Sequence, residues 1–382
     1  MRYGVYVHIP FCRKKCAYCD FPSQVGTKTA MADYTAALCR EMRARGPEIA
    51  VHGPAATAYI GGGTPTALPI SLLSRILLTL KAVLPFSPEA EVTVEVNPGT
   101  VDLETLTALH TLGVTRLSVG AQSFEDRLLA RIGRIHTAQA IRDTVRWARA
   151  AGFTDVSLDL MYGLPGQTIE DVRRSVGTAI DLAPTHISVY GLTVEEGTPF
   201  AAEEAAGTLR LPAEEDAEAM YDYLTRILPR YGFARYEIAN FARPGFMSRH
   251  NFSYWTDVPY VGFGAAAHSY WDGRRMVNEP DIAAYIAAVQ SGRFPAREEE
   301  PATRKNQMEE FCFLALRTAR GLSRTKFAAK FGCSLDSVYH ATLQDLQAKG
   351  LLEDTADSVR LTERGMKFGN VAFRAFLLDG ER

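Results

Sequence analysis

The sequence lacks long apolar runs and lacks an excess of either charge. None of its 382 residues falls in an uninterrupted apolar stretch long enough to span a bilayer, and no apolar signal segment is present at the start. With 42 basic and 44 acidic residues, the net charge of −2 provides no general field that attracts nucleic acid or an anionic membrane. Cysteine is scarce, and six unevenly spaced residues are atypical of a disulfide-stabilised secreted domain. We therefore expect a cytoplasmic globular protein, with one large domain and a smaller one.

Three of the cysteines are close together, directly after a short apolar strand. Cys12, Cys16 and Cys19 have C-x-x-x-C-x-x-C spacing, and the basic residues 13–15 between them favour thiolate over thiol. A cubane iron–sulfur cluster has four irons that each normally take one thiolate, so three cysteines leave one iron open for a ligand. A structural zinc site is the alternative, and its fourth ligand would be His8 on the preceding strand.

Short β-rich runs alternate with amphipathic helical patterns along the first half of the chain. The predicted strands are Val5–His8, Ala58–Ile60, Val92–Glu95, Arg116–Val119, Val156–Leu160 and Ile187–Tyr190. The predicted helices are Asp33–Arg45, Leu72–Leu84, Leu103–Leu112, Ala138–Ala151 and Ile169–Leu182. Parallel strands joined by right-handed helical crossovers close into a barrel or part of one. The pattern predicts an α/β fold with a partial (β/α)6 barrel.

Polar residues follow the predicted strands at their carboxyl ends. The cysteines follow the first strand, the Gly61–Thr64 segment the second, Glu95 ends the third, Gln122 follows the fourth and Asp159 closes the fifth. Ligands bind at this rim in parallel α/β folds. Taken singly, the glycines are also consistent with a tight turn, and either carboxylate with a helix cap or an ion pair. Their convergence on one rim favours a ligand site.

These motifs resemble those of the radical S-adenosylmethionine (SAM) superfamily. The resemblance rests on the cysteine run with Tyr18 before its last member, the glycine stretch and the Val94–Pro98 segment. Leu117–Phe124 and Asp159–Thr168 are similar to the oxygen-independent coproporphyrinogen III oxidase branch. The resemblance implies a [4Fe–4S] cluster on the three cysteines, whose open iron chelates SAM and whose electron cleaves it to a 5′-deoxyadenosyl radical.

The resemblance also assigns residues to the cofactor, position by position. It implies that the SAM sites are lined by Tyr6, Tyr18, Gly62, Gly63, Thr64, Glu95, Gln122, Arg134 and Asp159. The chemistry of these groups is suitable, because a glycine carbonyl and Glu95 accept from an ammonium, Asp159 accepts from ribose hydroxyls and Arg134 pairs a carboxylate.

Two departures separate the chain from the decarboxylating oxidase. Phe21 stands where that enzyme has a further cysteine, and only a few residues precede Tyr6, where the oxidase has an extension. The heme chaperones of the same branch lack both features, and their His-Asn-x-x-Tyr-Trp motif occurs at His250–Trp255. This resemblance implies heme as ligand, with contact through His250, or through His268 as the reserve candidate. It also implies acceptor hemoproteins, such as respiratory enzymes, as partners. It leaves open a homodimer and membrane contact through the acceptor, and an enzyme that modifies tetrapyrroles stays the alternative.

The chain is predicted to have three parts. These are a barrel over 1–205, an elaboration with the histidine motif over 206–300, and a winged-helix-like domain over 301–382, after a charged boundary at Arg297–Pro301. The last part has predicted helices at Met308–Thr318, Ser323–Phe331 and Ser334–Lys349, and strands at Leu351–Glu353 and Val359–Thr362. A DNA-binding regulator with an iron–sulfur sensor is a rival interpretation. However, Ser334–Lys349 contains Asp336 and Asp345 against Lys349, so we expect no nucleic acid partner.

Overall fold

The structure, a computed structural model, describes residues 2–294, 296–298 and 302–378, with the backbone alone for 296–298. It divides into two compact units. The larger unit comprises Met1–Ala234, Phe241–His250 and Pro259–Glu299, and the smaller unit comprises Arg235–Asn240, Asn251–Val258 and Glu300–Arg382. The predicted boundary at Arg297–Pro301 lies partly outside the described residues, and the predicted three-part division stays a prediction.

The larger unit is built around one extended sheet. The strands before residue 300 are β1 (Gly4–Ile9), β2 (Phe11–Cys12), β3 (Gln24–Val25), β4 (Ala55–Gly62), β5 (Phe86–Val96), β6 (Arg116–Gln122), β7 (Asp155–Tyr162), β8 (His186–Gly191), β9 (Ala234–Glu237), β10 (Asn240–Ala242), β11 (Tyr260–Phe263), β12 (His268–Trp271), β13 (Arg274–Asn278) and β14 (Ala296–Glu298). In the described residues the order of the large sheet is β14-β13-β12-β11-β1-β4-β5-β6-β7-β8-β10-β9. All pairs from β11 through β1 to β8 are parallel, and β11 to β14 are antiparallel.

Helices follow the strands and cover the sheet. They are α1 (Lys28–Ala50), α2 (Ile70–Val83), α3 (Leu103–Thr111), α4 (Asp126–Arg131), α5 (Ala138–Ala150), α6 (Ile169–Asp181), α7 (Pro199–Ala205), α8 (Glu214–Arg230), α9 (Arg249–Tyr254) and α10 (Ile282–Gln290). Helix α6 shows why they begin where they do, because Thr168 caps its amino end and Asp171 returns the bond in a capping box. The apolar faces of these helices and the strands form one buried core. In the described part of the chain, no helix combines the length and apolarity needed to cross a membrane.

The smaller unit has its own apolar core, between helices and a small sheet. Its elements after residue 300 are α11 (Arg304–Leu316), β15 (Leu322–Ser323), α12 (Arg324–Phe331), α13 (Leu335–Ala348), β16 (Leu352–Asp354), β17 (Ser358–Leu361), α14 (Glu363–Lys367) and α15 (Gly369–Ala375). The strands form an antiparallel sheet in the order β15-β17-β16. Helices α11 to α13, with the β16–β17 hairpin as the wing, give the winged-helix-like arrangement that the sequence predicts.

The α/β prediction is confirmed strand by strand. Each of the six predicted strands coincides with one of β1 and β4 to β8, and the five predicted helices coincide with α1, α2, α3, α5 and α6. The sequence did not indicate β11, which adds a parallel strand beside β1, or the antiparallel strands β12 to β14. All four strands are short, and the partner of β11 in the parallel part of the sheet lies far away in the sequence.

Candidate functional site

The cysteine loop is held in place by hydrogen bonds from the protein itself. The Ala17 amide donates to the Ile132 carbonyl at 3.0 Å, and the Arg13 guanidinium donates to the Gly99 carbonyl at 2.8 Å. Lys15 donates to two carbonyls later in the same loop. Two of the three cations between the cysteines therefore also fix the loop backbone.

The three thiols lie in the surroundings that a cluster requires. Cys12 and Cys16 are buried and Cys19 is half-buried. The Thr64 hydroxyl donates to Cys12 Sγ at 3.6 Å, and Arg134 Nη1 lies 3.6 Å from Cys16 Sγ. Burial raises the pKa of the Cys19 thiol, and the neighbouring sulfurs of Cys16 and Cys12 raise it further. Sulfurs grouped on one loop, with outside donors, fit the thiolate ligands of an iron–sulfur cluster.

The zinc alternative fits less well, because both ring nitrogens of His8 are already hydrogen-bonded. Its Nε2 lies 2.9 Å from the Pro22 carbonyl, which can only accept, so Nε2 carries the proton and Nδ1 accepts from the Tyr6 hydroxyl at 2.9 Å. In the described residues, no three histidine, cysteine or acidic side chains are close enough to hold one ion. In a cubane each thiolate binds its own iron, so the sulfurs stand farther apart than the ligands of a single zinc.

The glycines after β4 lie where no side chain has room. A Cβ at Gly63 would lie 2.8 Å from the Phe11 carbonyl oxygen and 3.0 Å from Cys12 Sγ, and a Cβ at Gly62 would lie 2.6 Å from the His8 ring. Gly62 also has a φ of +114°. The glycine backbone therefore approaches the cysteine loop directly, which a tight turn alone would not require.

The two carboxylates at the rim, Glu95 and Asp159, are half-buried, and the pKa of each is raised. Burial raises the pKa of Glu95 to about 7, although it accepts from the Tyr59 hydroxyl at 2.8 Å and the Gly62 amide at 3.1 Å. Burial likewise raises the pKa of Asp159, which accepts from the hydroxyls of Ser118 and Ser188. A desolvated carboxylate is stabilised when a cationic or hydroxylated ligand binds it.

Buried polar atoms without a partner also mark this rim. Arg134 donates to the Gly120 carbonyl, yet its Nε has no hydrogen bond within the described residues, and neither has Gln122 Oε1. Gln122 has a φ of +64° where the β6–β7 register shifts, so the strand is distorted at this residue. A donor and an acceptor left open here suit a ligand that carries both kinds of group.

The structure brings together the nine residues that the sequence assigned to SAM. Four of them lie beside a cysteine: Tyr18 and Arg134 beside Cys16, and Gly63 and Thr64 beside Cys12. The other five lie beside another member of the set: Tyr6, Gly62 and Asp159 beside Glu95, and Gln122 beside Arg134. Their assignment to SAM stays a prediction. Sequence reasoning missed His136, which bonds Asn97 at 3.0 Å and Ala121 at 3.3 Å, and whose pKa burial lowers to about 4.

The two histidines considered for heme are in different surroundings. The side chain of His250 is fully buried, lies 2.8 Å from the Thr57 hydroxyl and stacks on Tyr59 at 5.3 Å between ring centroids. Burial lowers its pKa to about 3. His268 is exposed and lies at the start of β12. Heme contact by either histidine stays a prediction.

Known proteins resemble the whole chain. The radical SAM superfamily profile matches residues 6–179, and the profile of the HemN C-terminal domain matches 302–368. The "Heme chaperone HemW" of Bacillus subtilis is 40% identical over 380 residues, which covers 98% of this chain and 99% of the relative. This chain belongs to the HemW family of the radical SAM superfamily. The HemW of Lactococcus lactis is 37% identical over 98% of this chain and 97% of its own.

A solved structure shows the same fold at lower identity. The structure described as "Coproporphyrinogen III oxidase (HemN) from Escherichia coli" matches with a TM-score of 0.87 and 24% identity. The match covers 98% of this chain and 90% of that one. The radical SAM partial barrel with its C-terminal domain is thus confirmed, and membership of the radical SAM superfamily implies a [4Fe–4S] cluster and SAM as cofactors.

Proposed function

We propose that this chain is a heme chaperone, which binds heme and delivers it to acceptor hemoproteins. The observation that carries the proposal is the near full-length identity of 33–40% to curated HemW proteins of several bacteria. Phe21, at the position of the oxidase's additional cysteine, supports a chaperone over a decarboxylating enzyme. Its side chain is 60% exposed, and it is not packed as a structural replacement.

The residues of the barrel rim would hold the cofactors. Cys12, Cys16 and Cys19 would bind three irons of a [4Fe–4S] cluster, and SAM bound at the fourth would supply radical chemistry. Glu95 would accept a hydrogen bond from the ammonium of SAM. Asp159 would accept ribose hydroxyls, and Arg134 would pair the carboxylate.

Heme binding and transfer test the proposal directly. Anaerobically reconstituted protein is titrated with heme and followed by its absorbance, then mixed with an apo-hemoprotein that has a distinct spectrum. We expect a saturable complex and loss of its spectrum as the acceptor fills. Heme that binds no more tightly than to serum albumin, or that is never released to the acceptor, would contradict the chaperone function.

The oxidase alternative is tested with coproporphyrinogen III, SAM and a reductant under anaerobic conditions, with products read by chromatography. We expect no decarboxylated product. Its formation at rates matching a parallel oxidase sample would favour the enzyme.

The remaining assignments belong to the same proposal. We place the protein in the cytoplasm, with respiratory hemoproteins as acceptors, and contact with the membrane through those acceptors. A homodimer and the division at residues 205 and 300 are proposed with it. The charge balance of the C-terminal helices supports the expectation of no nucleic acid partner.

A further inference from the structure

The smaller unit contains a group of rings and arginines that the barrel chemistry does not use. This arginine–aromatic cluster consists of Tyr236, Phe252, Trp255, Arg317, Arg320 and Phe373. The Arg317 guanidinium lies 4.6 Å from the Trp255 ring centroid and 5.5 Å from that of Phe373, and the Arg320 guanidinium lies 5.2 Å from that of Phe252. The rings of Tyr236 and Phe252 are 6.0 Å apart. Stacking on rings holds both guanidinium groups in defined positions.

A buried carboxylate lies beside the charges of this cluster. It belongs to Glu237, which accepts a hydrogen bond from Asn240. The charges of Arg235 and Arg317 both lower the pKa of Glu237. The Ala319 amide donates to the Tyr236 carbonyl, so the exposed Arg320 follows directly after a residue that is bonded to the cluster. Burial lowers the pKa of Arg317, and Glu237 only partly offsets this. The two guanidinium groups of the cluster, Arg317 and Arg320, favour an anionic ligand.

Two buried donors in the cluster lack an acceptor. Trp255 Nε1 and Arg317 Nε have no hydrogen-bond partner within the described residues. Buried N–H groups are almost always paired, and leaving them unpaired destabilises a protein. A ligand that presents oxygen acceptors beside an apolar body would satisfy these donors and the charge together.

We propose that the arginine–aromatic cluster binds the carboxylate side chains of heme, with Arg317 and Arg320 as the charged partners. The inference rests on the proposed heme chaperone function and gives it a binding surface. It also separates the roles within the His250–Trp255 motif: Phe252 and Trp255 position the two arginines, whereas His250 is hydrogen-bonded to Thr57 in the larger unit.

The test compares heme with heme dimethyl ester, which has the same iron and ring but no carboxylates. Both are titrated into the full-length wild type, Arg320→Gln and Arg317→Lys, with circular dichroism as a folding check. Arg364→Gln is the matched control, since Arg364 is an exposed arginine of the same unit on α14. Removing a charge-assisted bond predicts about tenfold weaker heme binding by Arg320→Gln and unchanged ester binding. Arg317→Lys, which keeps the charge and loses Nε, gives a smaller loss, and Arg364→Gln gives none.

The outcomes distinguish a failure of this inference from a failure of the proposed chaperone function. Equal affinity of wild type for heme and its ester, or equal loss with both ligands in Arg320→Gln, would overturn the carboxylate contact alone. A wild type that binds neither ligand would overturn the chaperone function. A folded Arg320→Gln that binds heme like wild type would remove Arg320 from the site.

Discussion

At the scale of single residues, Gly63 shows how closely the chain approaches the cysteine loop. We predict that Gly63→Ala lowers iron and sulfide incorporation and costs about 1–3 kcal/mol of stability, because its Cβ would lie 2.8 Å from the Phe11 carbonyl oxygen and 3.0 Å from Cys12 Sγ. Iron and sulfide assays after anaerobic reconstitution, with thermal unfolding, measure both effects.

Gly177 provides the control for this substitution. A Cβ at Gly177, in α6, meets nothing within 4 Å, so Gly177→Ala should keep the cluster and gain up to about 1 kcal/mol. Full cluster content in Gly63→Ala would show that the loop can move away from the strand end.

His250 makes stability depend on pH. Its pKa is lowered to about 3 in the folded protein from an ordinary value of 6.5, so below pH 6.5 the unfolded chain binds a proton that the folded chain refuses. The contribution of His250 to the free energy of unfolding is fully present above pH 6.5, and it decreases as the pH falls below that value. Between pH 7.5 and 5.5 the loss is about 1.4 kcal/mol.

We predict that His250→Gln removes this share of the pH dependence. Urea unfolding of both proteins at the two pH values gives the comparison, and the wild type should lose about 1.4 kcal/mol more than the variant. Identical losses would mean that the imidazole is protonated in the folded state, and hence not buried as described here.

At the scale of elements, α1 is joined to the end of the large sheet through one buried charge. Glu41 is fully buried and accepts from Arg45, from the Gly264 amide at 2.9 Å, from Asn278 at 2.9 Å and from Tyr285 at 2.7 Å. We predict that Glu41→Ala costs about 3–5 kcal/mol, because these donors and the Arg45 charge lose their acceptor. Chemical denaturation measures the change.

Glu48→Ala on the same helix is the matched control. Glu48 is exposed, so its substitution should change stability by less than about 0.5 kcal/mol. A similar small effect of Glu41→Ala would show that water replaces the lost acceptor.

Local pattern predicted the strands and helices of the repeating βα units. The strands β1 and β4 to β8 pair with the next parallel strand along the chain. The polar residues at their carboxyl ends could therefore be predicted from the sequence. Strand β11 pairs with β1 across some 250 residues, and no local signal specifies that choice. The bonds of His8 were missed for the same reason, since a histidine reveals its partners only when Tyr6 and Pro22 are placed around it.

The two sites also differ in how far they could be predicted from the sequence. The spacing of Cys12, Cys16 and Cys19 is a local pattern, and it predicted the cysteine site. The contact between Trp255 and Arg317 joins positions 62 residues apart, within a unit that also takes in residues 235–240 and 251–258. No change of composition marks those two segments as part of it.

At the scale of the whole molecule, the cofactor residues and the arginine–aromatic cluster belong to different units. We predict that replacing all three cluster cysteines by alanine abolishes iron–sulfur incorporation but changes heme affinity by less than about threefold. Heme titration of the folded triple variant checks this. A loss of tenfold or more would show that heme binding needs the loaded barrel.

The hydrogen bonds that anchor the cysteine loop have a consequence for maintenance of the protein. Ala17, Arg13 and Lys15 are tied to backbone carbonyls by bonds that need no inorganic group. We therefore predict that the loop keeps its backbone structure when the cluster is absent, so that a polypeptide that has lost its cluster can be reloaded. Slow hydrogen exchange of the Ala17 amide in chelator-treated protein is the corresponding signature.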